Sequence, residues 1–294
     1  MSAPFCVHCA SGFALEGTPK GTMEKLGPYD TYIASPSSVQ GEPGRAIFFA
    51  CDAFGLSLIN NKIIPDILAE RLGVPVYVPD YFEGKGVEPT RLQMPSTAKE
   101  MRSQSLMQKV TSGLGMLSIA PWFISNRPGT KIAPLEKWFT AVEEAKGVKE
   151  WASTSYCFGG KPVLHFASQS KFKANVLCHP SFVAIDDIKK MKGTSLFICA
   201  DEDPVFGASL REQSQQVLKE RQDKGEIQAE FKFFHNTVHG FCARPDFSVP
   251  EVKKAFEDAT QLTVEWLKEH FLQAKAEGKG TAGGEPPAAT AAPV

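Results

Sequence analysis

Short runs rich in β-branched and aromatic residues alternate with helical patterns along most of this chain, and that alternation constrains its fold more than any other feature. Residues 45–51 (RAIFFAC) read as a buried strand. A helix follows at 61–72, with Ile63, Ile64, Ile67 and Leu68 on one face, and the strand at 74–78 ends at Pro79-Asp80. An amphipathic helix at 135–146 leads to a strand at 150–156 and a sharp turn at Cys157. Further strands are expected at 174–178, 195–200 and 230–234, and a closing helix at 252–271 directs Phe256, Leu262, Trp266 and Leu267 to the core. Such alternation specifies an α/β fold with a mostly parallel sheet and helices on both faces. In open sheets of this kind, ligand sites gather beyond the carboxyl ends of the strands.

Residues 89–134 break the rhythm and are expected to form a lid or helical insertion within one domain spanning 1–273. From residue 274 the chain turns small and polar (AKAEGKGTAGGEPPAATAAPV). Such a segment cannot offset its ordering entropy by burying apolar area, so 274–294 is expected to be a disordered tail. Lys and Arg number 32 against 33 Asp and Glu, which argues against a nucleic-acid or anionic-membrane binder. The apolar stretch 113–124 is too short to span a bilayer. Residues 1–13 lack a basic region followed by an apolar one, so a cytoplasmic, reduced protein is expected, monomeric or homodimeric. Seven cysteines leave at least one unpaired and available for chemistry.

The sharpest local signal is Ser155-Tyr156-Cys157-Phe158-Gly159-Gly160. A nucleophile set between strand and helix among small residues describes the strained elbow of α/β-hydrolases. In that geometry the Phe158 N–H points to where an oxyanion develops. The same residues also fit a structural cysteine in a glycine-rich turn. Chain order bears on the choice, since the elbow fold places nucleophile, acid and histidine in that sequence. After Cys157 come the run SLFICA with Asp201-Glu202-Asp203-Pro204, then EFKFF with Val238-His239-Gly240-Phe241. Spacing alone leaves Asp201 and Asp203 as competing acids.

These segments resemble the dienelactone hydrolase family, especially its fungal members. The resemblance rests on Tyr156-Cys157-Phe158-Gly159-Gly160-Lys161, Cys178-His179-Pro180-Ser181-Phe182, Asp203-Pro204 and His239-Gly240-Phe241. Gly17-Thr18-Pro19-Lys20-Gly21 and Cys51-Asp52-Ala53-Phe54-Gly55 add to it. It spans roughly residues 6–271 and implies an α/β-hydrolase fold with a Cys157, Asp203, His239 triad, favouring Asp203 over Asp201. It also implies Ala53 as the second oxyanion donor beside Phe158. Two positions depart from the pattern: Ser155 stands where the family usually has glycine, and Asp52 where the founding bacterial enzymes place a glutamate that holds the resting nucleophile. Asp52 therefore reads either as a substrate-site carboxylate or as a local turn residue. Arg244 matches the region of the arginine that receives a substrate carboxylate, or is a surface arginine. Tyr81 and Phe82, with Trp122 and Phe123, line the pocket or belong to the core.

Other features point elsewhere. Cys6-Val7-His8-Cys9 has no second pair at zinc-ligand spacing, so no metal is expected. His179 reads as a structural, hydrogen-bonding histidine, and His165 and His270 as non-catalytic. The expected function is hydrolysis of a small-molecule ester, lactone or enol-lactone through an acyl-thioester, without a cofactor. The alternatives are isomerisation, cyclisation or acyl transfer in the same pocket, or a binding protein with a vestigial site.

Overall fold

In a computed structural model of the chain, residues 14–273 are described, apart from 40, 92 and 93. The expected tail and the Cys6-Val7-His8-Cys9 motif lie outside the described residues. An eight-stranded sheet comprises β1 (Thr22–Leu26), β2 (Tyr29–Ala34), β3 (Arg45–Ala50), β4 (Val76–Pro79), β5 (Glu150–Tyr156), β6 (Phe172–Cys178), β7 (Thr194–Glu202) and β8 (Ala229–Val238). Their order across the sheet is β1-β2-β4-β3-β5-β6-β7-β8. The β1–β2 and β2–β4 pairs are antiparallel and the other five are parallel, which gives the mostly parallel sheet expected from the alternation. All six residues of β3 are buried, as required of a strand covered on both faces.

The helices are α1 (Asn60–Leu72), α2 (Ala98–Ser103), α3 (Leu106–Ser125), α4 (Gly129–Lys146), α5 (Gly160–Ser168), α6 (Ile185–Lys190), α7 (Ala208–Asp223) and α8 (Pro250–Leu267). Alternation along β3 sends neighbouring rings to opposite faces of the sheet. Phe48 joins Trp138 and Phe139 of α4 and stacks on Phe172 at 5.8 Å, whereas Phe49 stacks on Tyr156 at 4.9 Å. In α1, Ile64 and Leu68 are buried while Ile63 and Ile67 are half-buried, so the inward stripe is narrower than the four isoleucine and leucine positions suggested. The closing helix ends at Leu267 and continues as a wide π turn over Lys268–Leu272.

Between β4 and β5 the chain makes a short 3-10 turn (Pro89–Arg91) and then α2, α3 and α4. Within α3, Trp122 and Phe123 bring this segment against the aromatic wall of the strand ends: Trp122 lies 4.9 Å from Phe82, and Phe123 lies 5.7 Å from Phe182. No helix among the described residues is long and apolar enough to cross a membrane.

Candidate active site

Parallel register sets the carboxyl ends of the central strands side by side. Ala50 of β3 pairs with Ser155 of β5, Tyr156 with Cys178 of β6, and Cys178 with Ile198 of β7. The residues that follow, Asp52, Cys157, His179, Asp203 and His239, therefore share one edge of the sheet.

Cys157 sits at φ +49°, in the left-handed region that a non-glycine residue occupies only when its surroundings hold it there. Those surroundings are tight. A Cβ on Gly159 would lie 2.1 Å from the Ala50 carbonyl oxygen, and one on Gly160 would lie 2.5 Å from Pro180 Cβ. Only glycine lets the start of α5 approach β3 and the loop after β6 this closely. Ser155 is accommodated with its hydroxyl donating to the Val176 carbonyl at 3.4 Å, so the departure from glycine leaves the turn intact.

His239 Nδ1 is 2.9 Å from Asp203 Oδ2. The other carboxylate oxygen, Oδ1, accepts the N–H groups of Val205 at 2.8 Å and Phe206 at 2.9 Å. Asp201 takes a different place: it accepts the Asn236 N–H at 3.1 Å and pairs with Arg102 at 3.1 Å. The structure thus puts Asp203, not Asp201, on the histidine. Burial by itself would raise the Asp203 carboxyl, but the His239 charge and the hydrogen bonds outweigh it and hold the group down at about 2. Burial likewise opposes a charge on His239, yet Asp203 and Cys157 together raise it to about 10.

Ser181 completes the contact chain, a residue to which the sequence reading gave no separate role. Its Oγ is 3.3 Å from Cys157 Sγ and 3.5 Å from His239 Nε2, and its N–H donates to the Cys157 carbonyl at 2.8 Å. The sequence signal was the Cys178-His179-Pro180-Ser181-Phe182 segment, directly after a strand. His179 corrects an expectation. It is fully buried at φ +36°, but neither ring nitrogen has a hydrogen-bond partner. Burial and the neighbouring His239 charge push its pKa well below 6.5, so it stays neutral, with its ring edge-on to His239 at 4.9 Å.

Asp52 is buried and accepts the Phe54 N–H at 3.1 Å and the Asn61 side-chain amide at 2.8 Å. Burial raises its pKa, opposed chiefly by Arg244. The Arg244 guanidinium lies 4.3 Å over the Phe54 ring, and its Nε has no hydrogen-bond partner. It is partly buried beside the site rather than standing on the outer surface. An open pocket has His239 and Arg244 in its wall, together with Met94, Val238, Phe241 and Val252. Tyr81 is fully buried, donates its hydroxyl to the Cys51 carbonyl and stacks on Phe158 at 5.9 Å, placing it behind the Cys157-Phe158 turn. Phe82 and Trp122 also pack on Phe158, at 5.0 and 6.2 Å. Ala53 adjoins Asp52 on the loop after β3, with its carbonyl accepting the Val87 N–H at 2.8 Å. Among the described residues, no group of three or more His, Cys, Asp or Glu is arranged to hold a metal ion.

Residues 29–271 match the model of the dienelactone hydrolase family. The chain is 28% identical to the hydrolase tropI of Talaromyces stipitatus, over 92% of this chain and 99% of that protein. It is 26% identical to dienlactone hydrolase 1 of Gibberella moniliformis, over 91% of this chain and 94% of that protein. Among solved structures, a putative dienelactone hydrolase from Klebsiella pneumoniae shares the fold with a TM-score of 0.56 at 15% identity, covering 82% of this chain and 93% of that one.

Proposed function

Because the chain belongs to the dienelactone hydrolase family and is a hydrolase, we propose that it cleaves a small ester, lactone or enol-lactone through nucleophilic Cys157, general base His239 and orienting Asp203. The observation that carries the reading is the contact chain at the strand ends: Asp203 to His239 at 2.9 Å, His239 to Ser181 at 3.5 Å and Ser181 to Cys157 at 3.3 Å.

In this mechanism His239 Nε2, whose raised pKa of about 10 favours the charged imidazolium at neutral pH, takes the thiol proton before Sγ attacks the substrate carbonyl as the thiolate. Asp203 fixes the required tautomer by accepting from Nδ1 and stabilises the imidazolium that forms. The tetrahedral oxyanion is held by the Phe158 and Ala53 N–H groups. His239 returns the proton to the departing alkoxide, which in a lactone remains tethered to the acyl group, and an acyl-thioester is left on Cys157. Water, deprotonated by His239, then attacks the thioester carbonyl; the C–S bond breaks, the acid is released, and the proton held by His239 pairs with the departing Cys157 thiolate. Arg244 suits a carboxylate on the substrate, because a guanidinium fork gives parallel charge-assisted bonds and its Nε is unpartnered beside the pocket. Asp52 balances the charge of that guanidinium. The substrate class is therefore a small, anionic lactone or ester.

The test is turnover of p-nitrophenyl acetate and of a carboxylated enol-lactone, with intact-mass detection of an acyl adduct mapped to Cys157. Turnover that is lost in Cys157→Ala supports the reading. An adduct that forms but does not turn over would assign the pocket to acyl transfer instead, and undiminished activity in Cys157→Ala would remove the nucleophile from the mechanism.

A further inference from the structure

Helix α3 carries two apolar faces, and the fold uses one of them. Ile119 is buried, and Trp122 and Phe123 turn inward onto Phe82 and Phe182. The opposite face presents Met107, Val110, Leu114, Leu117, Pro121 and Ile124, which follow one another at alternating intervals of three and four residues. Those are the a and d positions of a heptad, the seam by which one helix packs along another. The seam is open: Met107 is 72% exposed, Val110 50%, Leu114 60%, Leu117 68% and Ile124 62%, with Leu106 at 80% beside them.

The flanking positions narrow the choice of occupant. In this register the e and g sites hold Leu106, Thr111, Gly113, Ser118, Ala120 and Ser125, none of them charged, and Lys109 is the helix's single charged residue. Charges at e and g normally select a foreign helix or repel an identical one, and neither device is present. A helix lying on a bilayer carries a broader apolar face bordered by several Lys or Arg, whereas this seam takes two positions in seven. Each aliphatic side chain offers roughly 60–120 Å² of apolar area, so the six exposed ones leave on the order of 350 Å² in one stripe. That lies within the range of the largest apolar patch on a monomer, a patch that is often functional. Two copies pool about 700 Å² before flanking side chains and backbone are added, short of the roughly 1,200 Å² of a stable interface and in the range of a weak, reversible one.

We propose that the seam is occupied by α3 of a second copy of this chain, in a two-fold helix pair whose self-complementary surface each copy supplies. Beyond Leu106, the small e and g residues allow the two helices to approach closely, and the modest area makes the dimer concentration-dependent. The inward face of α3 stays on Phe82 and Phe182, so pairing leaves the site's own contacts unchanged.

Sedimentation equilibrium of the full chain from about 1 to 200 μM tests this. The expected result is a rise from the 32.1 kDa monomer mass toward twice that value. A Leu114→Glu/Leu117→Glu variant should remain monomeric across the range, with melting temperature and ester turnover unchanged. Leu117→Gln, which adds no charge, should weaken association at least tenfold. A wild-type chain that stays monomeric at 200 μM overturns the proposal. So does a dimer whose dissociation constant is the same in the variants. Co-sedimentation of monomer with phosphatidylcholine vesicles, lost in the double variant, would give the seam to a membrane and overturn it as well.

Discussion

Replacing Asp203 by Asn is the most demanding test of the site, because the surroundings dictate how the new amide must lie. Asp203 Oδ1 accepts two backbone N–H groups, from Val205 at 2.8 Å and Phe206 at 2.9 Å, while Oδ2 faces His239 Nδ1 at 2.9 Å. An amide nitrogen cannot replace Oδ1, since donors would then face donors. The Asn oxygen must stay on the two N–H groups, and its NH₂ must point at Nδ1. His239 then accepts at Nδ1 and carries its proton on Nε2, the tautomer that cannot take a proton from Cys157. The variant also removes the negative charge that holds the imidazolium, the largest of the influences raising His239 to about 10 against its burial. A wrong tautomer in a comparable triad costs about 10⁴ in turnover, so a loss of 10³–10⁴ in kcat is expected here, roughly 4–5.5 kcal/mol at 1.36 kcal/mol per decade.

The assay is kcat/KM for an activated ester, with thermal melting run first so that lost structure is not read as lost chemistry. Asp201→Asn is the control. Asp201 contacts Asn236 and the exposed Arg102 rather than the histidine, and its loss should cost at most a few-fold. An Asp203→Asn enzyme that folds and keeps more than a tenth of wild-type turnover would refute the tautomer argument. A dead Asp201→Asn beside an active Asp203→Asn would reassign the acid.

Gly159→Ala should lower stability by about 3 kcal/mol or more, read as a large drop in melting temperature, because its Cβ would meet backbone at 2.1 Å and the strand end must yield; a melt within about 2 °C of wild type would show that the elbow relaxes. In a short iodoacetamide pulse, label among Cys51, Cys157, Cys178, Cys199 and Cys242 should collect on Cys157, the partly exposed one of the five. Burial raises Cys199 to about 12 and lifts Cys51 and Cys242 well above the ordinary thiol value, so faster labelling at any of these would count against the nucleophile. The raised His239 also links stability to pH. An imidazole at about 10 in the folded chain and near 6.5 when unfolded keeps more protons in the folded state across that window, so its contribution is complete below pH 6.5 and lost as pH rises through 10. The stability gap between wild type and Asp203→Asn in urea melts should therefore shrink from pH 6.5 to pH 10, and a constant gap would contradict the assignment.

The central strands were legible because each is buried on both faces and so reads as an uninterrupted apolar run. The strand Arg45–Ala50 begins where its sequence placed it and ends one residue earlier. The hairpin of β1 and β2 was not legible. Four of the five residues in Thr22–Leu26 are exposed, so this edge strand carries almost no apolar periodicity. Pairing holds it there, through Met23 opposite Tyr32 and then Ile33 opposite Tyr77 of β4. Helix α7 escaped for a related reason: of its sixteen residues, only Ser214 and Leu218 are buried, too few to mark a stripe. Helix α3 offered a different difficulty. Apolar residues on two faces look from sequence like an irregular hydrophobic stretch, and they separate into an inward set and a heptad seam only once Ile119, Trp122 and Phe123 are seen against the body.

For the site, chemistry-bearing residue types in the right order after successive strands were enough to nominate Cys157, Asp203 and His239, because parallel register itself brings such positions together. What order does not encode is how each group is satisfied. Ser181 lies 24 residues from Cys157 and 58 from His239, and nothing local distinguishes a hydroxyl set between sulfur and imidazole from one that ends a turn. His179 shows the converse. A buried histidine after a strand ordinarily has a hydrogen-bond partner, and the sequence carries no sign that both ring nitrogens go without one. A neutral ring packed edge-on to His239 backs the Asp203–His239 pair without competing for the Asp203 carboxylate, whose oxygens are taken by His239, Val205 and Phe206. The same limit applies to Asp52. That its side chain is one methylene shorter than glutamate is visible in the sequence; that Phe54 and Asn61 hold it, with Arg244 as its balancing charge, follows from the path of the loop after β3. Residue type and order nominate the candidate groups, and the unpaired and shared hydrogen bonds around them, which only the fold supplies, determine the protonation state in which they would meet a substrate.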